Sequence, residues 1–159
     1  MSLQKVVVTG GAGFLGSAIC RCLAERHPKC QIIVFDASPP KEIHPLPASA
    51  QFVQVDITSL YSLTEAFGKA KPQVTIHSAG VVGNTFWRYT QRERHKVWRV
   101  NVFGTKNTLE AAKAAGVKAF VYTGSVSAVM DDMDTEFANV DERWPTSRSS
   151  LPYGSSKVV

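Results

Sequence analysis

The sequence contains no apolar run that approaches the ~18–20 residues needed to span a bilayer, and its N-terminus lacks the layout of a secretory signal. It has only three cysteines among 159 residues, Cys20, Cys22 and Cys30, and their spacing is not that of a metal site. Cys20 and Cys22 fall on a predicted helix, where residues two apart point in different directions, so we expect no disulfide between them. These absences argue against a membrane span, a disulfide scaffold and a metal centre, and they favour a reducing, cytoplasmic setting.

Acidic residues are fewer than basic ones, 13 against 18, which gives a net charge of +5. The basic side chains concentrate in the stretch RYTQRERHKVWR, at Arg88, Arg92, Arg94, His95, Lys96 and Arg99. Basic residues interleaved with aromatics can follow nucleic-acid phosphates, but the same pattern is typical of the solvent-exposed start of a helix. No nucleic-acid-binding motif accompanies the patch. We therefore favour the helix and expect no nucleic-acid partner.

What the sequence does contain is a regular alternation of apolar strands and amphipathic helices. Short β-branched runs predict five strands, over residues 5–10, 31–36, 52–56, 73–80 and 118–125. Helical spacing predicts one helix from about Leu15, one over residues 59–67 with Thr58 or Ser59 as its N-cap, and a long one over residues 93–115 that Gly116 ends. Apolar strands separated by helices indicate an α/β protein with a parallel sheet covered on both faces, a doubly wound Rossmann fold.

The stretch TGGAGFLG, residues 9–16, lies between the first strand and the first helix. Gly10 allows a sharp turn out of the strand, and Gly13 removes a Cβ where a pyrophosphate would approach the helix N-terminus. Gly16 lets the helix pack closely on the sheet. A plain turn between a strand and a helix is the alternative. The carboxylate of Asp36, about 20 residues beyond the loop, favours a dinucleotide site because it can bind the adenosine ribose.

Asp36 also bears on which dinucleotide is bound. Its negative charge would repel the 2′-phosphate of NADP, so NAD is the expected cofactor. Lys41 is close enough in sequence to keep NADP as the alternative. Asp56 and Ile57 follow the third strand, and in this topology they would flank the adenine. Asp56 could instead cap the helix that follows.

Seven sequence elements occur in an order that is typical of one enzyme family. They are TGGAGFLG, Asp36, VDIT at 55–58, HSAG at 77–80, VNVFGT at 100–105, VYTGSVSAV at 121–129 and YGSSK at 153–157. With these elements, which cover nearly the whole chain, the sequence resembles the extended short-chain dehydrogenase/reductase family. Residues 99–129 are most similar to its 3β-hydroxysteroid dehydrogenase branch, which includes the sterol-4α-carboxylate 3-dehydrogenases. Nucleotide-sugar epimerases and dehydratases share most of the motifs and are the alternative within the family.

Tyr153 and Lys157 stand four residues apart, so on a helix they share one face. Oxidising an alcohol requires a base for the hydroxyl proton while a hydride leaves the carbon. A phenol with a pKa near ~10 is a poor base at neutral pH, and a neighbouring ammonium group favours the phenolate. The resemblance implies that Tyr153 is the acid/base, that Lys157 tunes it and contacts the nicotinamide ribose, and that Ser125 binds the substrate oxygen. An ordinary aromatic–cation pair is the alternative for Tyr153 and Lys157.

Further polar residues bear on this assignment. The family's usual pair of serines is interrupted here by Gly124, and Ser127 is a nearby hydroxyl that competes with Ser125. The resemblance counts Asn101 with the catalytic residues, where it stabilises a bend in the long helix and a water network; judged locally, it is a polar residue on a helix. We interpret His77 as a histidine with satisfied hydrogen bonds at the end of a strand, and not as a catalyst.

The resemblance also implies a set of cofactor contacts and a domain organisation. The residues that would hold NAD are Gly10, Gly13, Phe14, Leu15, Gly16, Asp36, Asp56, Ile57, Ala79, Tyr153 and Lys157. Family members of the extended type continue well beyond the Tyr–Lys motif. We therefore expect residues 1–159 to form a Rossmann domain that lacks the substrate-binding part, binds NAD and turns substrate over poorly.

The parent protein is expected to transfer a hydride from the 3β-hydroxyl carbon of a steroid or sterol to NAD. In a 4α-carboxysterol the resulting β-keto acid would then lose carbon dioxide. The alternatives are a nucleotide-sugar epimerase or dehydratase and a non-catalytic NAD-binding sensor or scaffold. The resemblance implies a homodimer of the full-length protein, with the parent at the cytosolic face of the endoplasmic reticulum. A stripe of small residues, Gly104, Thr108 and Ala111, suits such a helix contact, but burial against the chain's own sheet explains it equally well.

Overall fold

The computed structural model describes residues 3–83, 90–129, 139, 141, 143–146 and 149–158. The chain divides into two units. The first comprises Met1–Ala79 and Gly104–Thr123, and the second comprises Gly80–Phe103 and Gly124–Val159. The first unit contains the whole sheet, and the second contains the tyrosine motif.

A five-stranded sheet forms the centre of the first unit. Its strands are β1 Lys5–Thr9, β2 Gln31–Asp36, β3 Ala50–Gln54, β4 Val74–His77 and β5 Ala119–Tyr122. All neighbouring strands are parallel, in the order β3-β2-β1-β4-β5. The direction of winding reverses between β1 and β4, the position at which open sheets bind ligands. The predicted doubly wound Rossmann fold is confirmed.

In the described part of the chain, three longer helices belong to the first unit, and two short helices belong to the second. The helices in chain order are α1 Phe14–Arg26, α2 Leu60–Ala70, α3 Arg94–Trp98, α4 Thr105–Ala114 and α5 Pro152–Ser156; α3 and α5 are those of the second unit. Ser59 is the N-cap of α2, because its hydroxyl accepts a hydrogen bond from the amide of Ser62 at 3.3 Å. The structure thus selects Ser59 from the two caps that the sequence offered.

Apolar side chains fill the space on both faces of the sheet. On one face, Val6, Val8, Ile32 and Val34 are fully buried in a cluster that includes Cys20 of α1. Alternate residues point to the opposite face, where the ring of Phe35 packs edge-on against Phe67 of α2 at 5.2 Å. The three cysteines are free, and burial raises the pKa of the Cys20 thiol to about 12.

A layer of buried polar groups also lies on the second face. The side chain of His77 connects β1 to α4: its Nδ1 lies 2.6 Å from Oγ1 of Thr9, and its Nε2 lies 2.9 Å from Oγ1 of Thr105. His77 is therefore a strand-end histidine with satisfied hydrogen bonds, as predicted. Thr108 donates a hydrogen bond to the carbonyl of Gly104 at 2.7 Å. By contrast, the buried hydroxyl of Thr75 has no hydrogen-bond partner among the described residues.

Four of the predicted strands end earlier than expected. We expected the first, third, fourth and fifth strands to reach residues 10, 56, 80 and 125, and they end at Thr9, Gln54, His77 and Tyr122. The cause is pairing: His77 is opposite Thr9, and Tyr122 is opposite His77. Because β1 ends at Thr9, residues of β4 beyond His77 have no β1 residue to pair with, and β4 ends there. The strand β5 ends where β4 ends.

The predicted helix over residues 93–115 differs from the structure in its middle. A 3₁₀ turn at Gln91–Glu93 precedes α3, and a wider π-helical segment, Arg99–Gly104, lies between α3 and α4. Gly116, with φ +74°, follows the C-terminal end of α4 as predicted. A π segment adds a residue to a turn and is common at functional sites, and the 3.6-residue apolar period does not reveal it.

Gly16 provides a test of how tightly the glycine loop is packed. A Cβ at Gly16 would lie 2.6 Å from the Cα of Gly11 and would also overlap the carbonyl of Gly10. The lack of a side chain at Gly16 therefore leaves room for the backbone of the glycine loop as well as for the packing of α1. We expect Gly16→Ala to lower the free energy of unfolding by about 1–3 kcal/mol, measured by urea denaturation. The matched control is Gly68→Ala in α2, where a Cβ meets nothing within 4 Å and where alanine should stabilise the helix by about 0.5–1 kcal/mol. A Gly16→Ala chain as stable as the original would contradict close packing of the loop against Gly16.

Thr75 and Thr108 form a second matched pair. Thr75→Val replaces an unpaired buried hydroxyl with a methyl group of similar size, and we expect it to raise the free energy of unfolding by about 1 kcal/mol. Thr108→Val removes a donor that is in use, and we expect a loss of about 1 kcal/mol. Urea midpoints measured side by side test both. Destabilisation by Thr75→Val equal to that by Thr108→Val would show that the Thr75 hydroxyl is satisfied.

Candidate functional site

The glycine loop and the start of α1 form a candidate anion site in the first unit. Helix α1 begins at Phe14, with Gly13 as an extended N-cap at φ −83° and ψ 179° and no acidic residue in the first turn. The backbone N–H groups of the first turn have no acceptor within the helix, and the helix dipole makes this end positive. A Cβ at Gly13 would approach the carbonyl of Gly10 to 3.3 Å and would narrow the approach to these donors. The residues present therefore fit a pyrophosphate group.

Gly10 joins the ends of three neighbouring strands. Its φ is +69°, and a Cβ there would lie 2.6 Å from both the Cα and the nitrogen of Ala79, which follows β4. Its amide donates to the carbonyl of Phe35 in β2 at 2.7 Å. A residue with a side chain fits neither the backbone conformation nor the space. Gly10 and Ala79 are thus in contact at this edge of the sheet.

Asp36 is held at the same edge by backbone donors. Its Oδ2 accepts a hydrogen bond from the amide of Ala12 in the glycine loop at 3.1 Å, and its Oδ1 accepts one from the amide of Ser38 at 3.1 Å. These bonds orient the carboxylate and leave acceptor capacity on both oxygens. The sequence placed Asp36 beside the loop, and the structure brings the two together.

A pocket of about 320 Å³ opens beside Asp36. Its lining is drawn from the loop and from the segment after β2: Ala12, Gly13, Phe14, Asp36, Ser38, Pro39, Lys41, Ile43 and His44. The Phe14 ring is 79% exposed and lies edge-on to His44 at 5.7 Å. The sequence singled out Lys41 but missed the wall formed by Ile43 and His44, because an irregular proline-rich segment carries no periodic signal. Leu15, the other predicted apolar contact at the start of α1, is also exposed.

Asp56 and Ile57 occupy different environments. Asp56 is exposed, and its Oδ1 accepts a hydrogen bond from the amide of Thr58 at 2.8 Å, so it caps the turn that leads into α2. Ile57 is buried, and a Cβ at Gly104 would lie 2.6 Å from its Cδ1. Gly104 is therefore small because Ile57 packs against it. A role of Asp56 and Ile57 beside an adenine ring stays a prediction.

Helix α5 carries the tyrosine motif in the second unit. It packs against α3 and against the 3₁₀ turn Val126–Ala128. Lys157 follows the last residue of α5 and is buried, and its Nζ lies 5.9 Å from the centre of the Tyr153 ring. Burial lowers the pKa of the Lys157 ammonium group because desolvation disfavours its charged form. We expected the two residues to share one face of a helix; Lys157 lies just past the end of α5, and its amine lies over the tyrosine ring. The catalytic role of the pair stays a prediction.

Ser125 lies in a turn after β5, and not at the end of the strand as we expected. It is the N-cap of the turn Val126–Ala128, and its Oγ accepts a hydrogen bond from the amide of Ser127 at 3.2 Å. The strand ends at Tyr122 because its partner ends at His77. Since α5 packs on this turn, the structure brings the segment of Ser125 against the helix of Tyr153.

Asn101 connects three segments of the second unit. It is buried within the π-helical segment; its Nδ2 donates to the carbonyl of Val81 and to Oγ of Ser156, both at 2.9 Å, and its Oδ1 accepts from the amide of Val81 at 2.8 Å. A Cβ at Gly80 would lie 3.3 Å from Asn101 Oδ1 and 3.5 Å from Lys157 Nζ. Sequence reasoning singled out Asn101 but missed its partners Val81 and Ser156. The signal that could have revealed Ser156 is the second serine of YGSSK.

Other parts of the described chain add little to the site. Among the residues that the structure describes, no group of three or more His, Cys, Asp or Glu side chains could hold a metal ion. None of the helices in the described ranges has the length and apolar character needed to cross a bilayer. In the basic patch, Arg88 lies outside the described residues, and the guanidinium of Arg94 stacks 4.7 Å from the Trp98 ring.

Comparison with known proteins places this geometry among dinucleotide enzymes. The chain is 35% identical to the sterol-4-alpha-carboxylate 3-dehydrogenase of Candida albicans over 91% of its own length and 40% of that enzyme. It is 37% identical to a 3-beta-hydroxysteroid dehydrogenase of Mycolicibacterium neoaurum over 99% of its own length and 41% of that enzyme. The UDP-glucose 4-epimerase of Thermus thermophilus, solved with NAD, superposes with a TM-score of 0.80 at 28% identity, over 98% of this chain and 48% of that one.

In each of these three matches, the chain spans less than half the length of the relative. The model of the NAD dependent epimerase/dehydratase family matches residues 6–159. That range includes the glycine loop, Asp36, Asn101, Ser125 and the Tyr153–Lys157 pair. The chain therefore belongs to the NAD dependent epimerase/dehydratase family.

Proposed function

We propose that this chain is the cofactor-binding half of an NAD-dependent oxidoreductase that acts on the 3β-hydroxyl group of a steroid or sterol. The observation that carries the proposal is the buried Lys157 amine 5.9 Å from the Tyr153 ring, on a helix packed against the turn of Ser125. The names of two relatives, a sterol-4-alpha-carboxylate and a 3-beta-hydroxysteroid dehydrogenase, support the substrate class. Their greater length supports a substrate-binding part outside residues 1–159.

NAD would be held chiefly by the first unit. The N–H groups at the start of α1 would bind the pyrophosphate, with Gly10, Gly13 and Gly16 keeping the approach open. Asp36 would accept hydrogen bonds from the adenosine ribose, in the pocket that Phe14 and His44 border. When bound, NAD supplies the nicotinamide that accepts a hydride from the substrate carbon.

The second unit would supply the acid–base chemistry. Tyr153 would take the hydroxyl proton of the substrate, and Ser125 would donate a hydrogen bond to the same oxygen. The positive charge of Lys157 would stabilise the phenolate of the tyrosine, and its amine would contact the nicotinamide ribose. Asn101 would hold the backbone at Val81 and the helix of Tyr153 in register. With a 4α-carboxysterol, the product is a β-keto acid that loses carbon dioxide readily.

A nucleotide-sugar epimerase or dehydratase is the second candidate. The superposition on the UDP-glucose 4-epimerase of Thermus thermophilus, with a TM-score of 0.80, favours it. Reduction of NAD by a 3β-hydroxysterol, set beside conversion of a UDP-sugar, distinguishes the two in a full-length protein that contains this chain. A homodimer and a place at the endoplasmic reticulum stay predictions for that protein.

The charge of Asp36 should decide the choice between NAD and NADP. We expect the chain to bind NAD about tenfold or more tightly than NADP, because the carboxylate repels a 2′-phosphate. Asp36→Asn removes the charge at nearly constant volume and should narrow this ratio mainly by strengthening NADP binding. Titration calorimetry with both cofactors measures it, and Lys41→Gln on the Asp36→Asn background tests whether Lys41 then binds the phosphate. Equal affinities of the unsubstituted chain for NAD and NADP would overturn the assignment.

The role of Tyr153 can be separated from folding and cofactor binding. In the full-length protein, Tyr153→Phe should lower kcat at least about 100-fold, because the proton acceptor is lost while the ring remains. NAD affinity should stay close to that of the original protein. The matched control is Tyr61→Phe, which alters a tyrosine that is 75% exposed on α2 and should leave kcat unchanged. Full activity of Tyr153→Phe would rule out the tyrosine mechanism, whereas NAD binding without turnover in the unsubstituted full-length protein would favour a non-catalytic NAD-binding protein.

A further inference from the structure

Ser156 has a place in the second unit that the proposed chemistry does not use. It is fully buried between Tyr153 and Lys157 in the chain. Its Oγ donates a hydrogen bond to the carbonyl of Tyr153 at 2.7 Å and accepts one from Nδ2 of Asn101 at 2.9 Å. A single hydroxyl thus connects the turn of Tyr153 to the π-helical segment.

These bonds have only one consistent polarity. A serine hydroxyl has one proton, and Ser156 donates it in the hydrogen bond to the carbonyl of Tyr153. Toward Asn101 the hydroxyl oxygen can therefore only accept. The amide of Asn101 must then present its NH₂ group to Ser156 and to the carbonyl of Val81, and its Oδ1 to the amide of Val81. The reversed amide would place NH₂ against the N–H of Val81 and oxygen against a carbonyl. The N–H and carbonyl of Val81 already require this orientation, and the oxygen of Ser156 adds a third hydrogen bond that the same orientation makes.

The orientation of Asn101 matters for Lys157. Gly80 lies against both side chains, since a Cβ built there would be 3.3 Å from Asn101 Oδ1 and 3.5 Å from Lys157 Nζ. With the amide as observed, its oxygen is on the side of Gly80 and the ammonium group. On this side of the amide, an oxygen is electrostatically compatible with the ammonium group beside Gly80, whereas an NH₂ group is not.

We infer that Ser156 is a positioning residue: by accepting from Asn101 while donating to Tyr153, it reinforces the bonds from Val81 that hold the amide oxygen of Asn101 toward Gly80, and so helps to set the cofactor-binding position of Lys157. This inference rests on the proposed function for the contact between Lys157 and NAD. The hydrogen-bond polarity on which it depends does not.

The neighbouring Ser155 offers a matched control. Among the described residues, its hydroxyl bonds within its own helical turn, to the carbonyls of Leu151 at 2.9 Å and Pro152 at 3.2 Å. Ser155→Ala and Ser156→Ala remove the same group from adjacent positions of α5. A general effect on the stability of this turn would appear in both variants, whereas an effect through Asn101 would appear only in Ser156→Ala.

The experiment measures NAD affinity of the 159-residue chain by calorimetry, together with amide hydrogen exchange by ¹⁵N NMR. We expect Ser156→Ala to weaken NAD binding about fivefold and Ser155→Ala to change it by less than about twofold. Exchange of the Val81 amide should quicken, and the Asn101 side-chain NH₂ signals should shift, in Ser156→Ala alone. Asn101→Ala combined with Ser156→Ala should bind no more weakly than Asn101→Ala by itself, because both act through one contact.

Three results would each overturn the inference. They are equal losses of NAD affinity in the two serine variants, a double variant whose loss of NAD affinity is the product of the Ser156→Ala and Asn101→Ala losses, and NMR signals of Val81 and Asn101 that do not change in Ser156→Ala. Should the alanine variant not fold, Ser156→Cys provides the same comparison with a weak hydrogen-bonding group of similar size. If the unsubstituted chain does not bind NAD, the proposed function fails. The polarity of Ser156 is then decided by the NMR signals alone.

Discussion

The first unit depends on the approach of two backbones at Gly10. The residue after β1 turns with a positive φ into the space beside Ala79, and its amide bonds to the end of β2. A Cβ fits neither this conformation nor this gap. Because the turn brings the loop 10–16 over the ends of β2 and β4, Asp36 can accept a bond from Ala12. The placement of Asp36 beside the start of α1 is thus a consequence of one contact.

The second unit is organised by a neutral amide. Asn101 uses its oxygen and its NH₂ group on Val81 and Ser156, and it lies within a widened helical turn. Buried polar groups are costly when unpaired and rigid when satisfied. A satisfied amide therefore holds the segment at Gly80 and the turn of Tyr153 in one arrangement without adding a second charge beside the buried Lys157.

The two units illustrate different uses of small residues. Gly10 and Gly16 are small because backbone atoms occupy the space of a side chain, and Gly104 is small because Ile57 packs there. The stripe that contains Gly104, Thr108 and Ala111 is buried within the first unit, as one of the two interpretations of the sequence required. A glycine therefore has to be interpreted from its neighbours, which the sequence does not list.

The sequence by itself determined the order of strands and helices, the glycine loop with Asp36, and the four-residue spacing of Tyr153 and Lys157, because these depend on local periodicity and on residue types at short range. Only the tertiary structure decided where β3, β4 and β5 end, since a strand stops where its partner stops. It also decided that Ser125 caps a turn, that Asp56 is exposed while Ile57 is buried, and that the long helix widens at Asn101. The contacts of Ser156 belong to the same class: its partner is 55 residues away in the chain, and no local pattern records such a hydrogen bond.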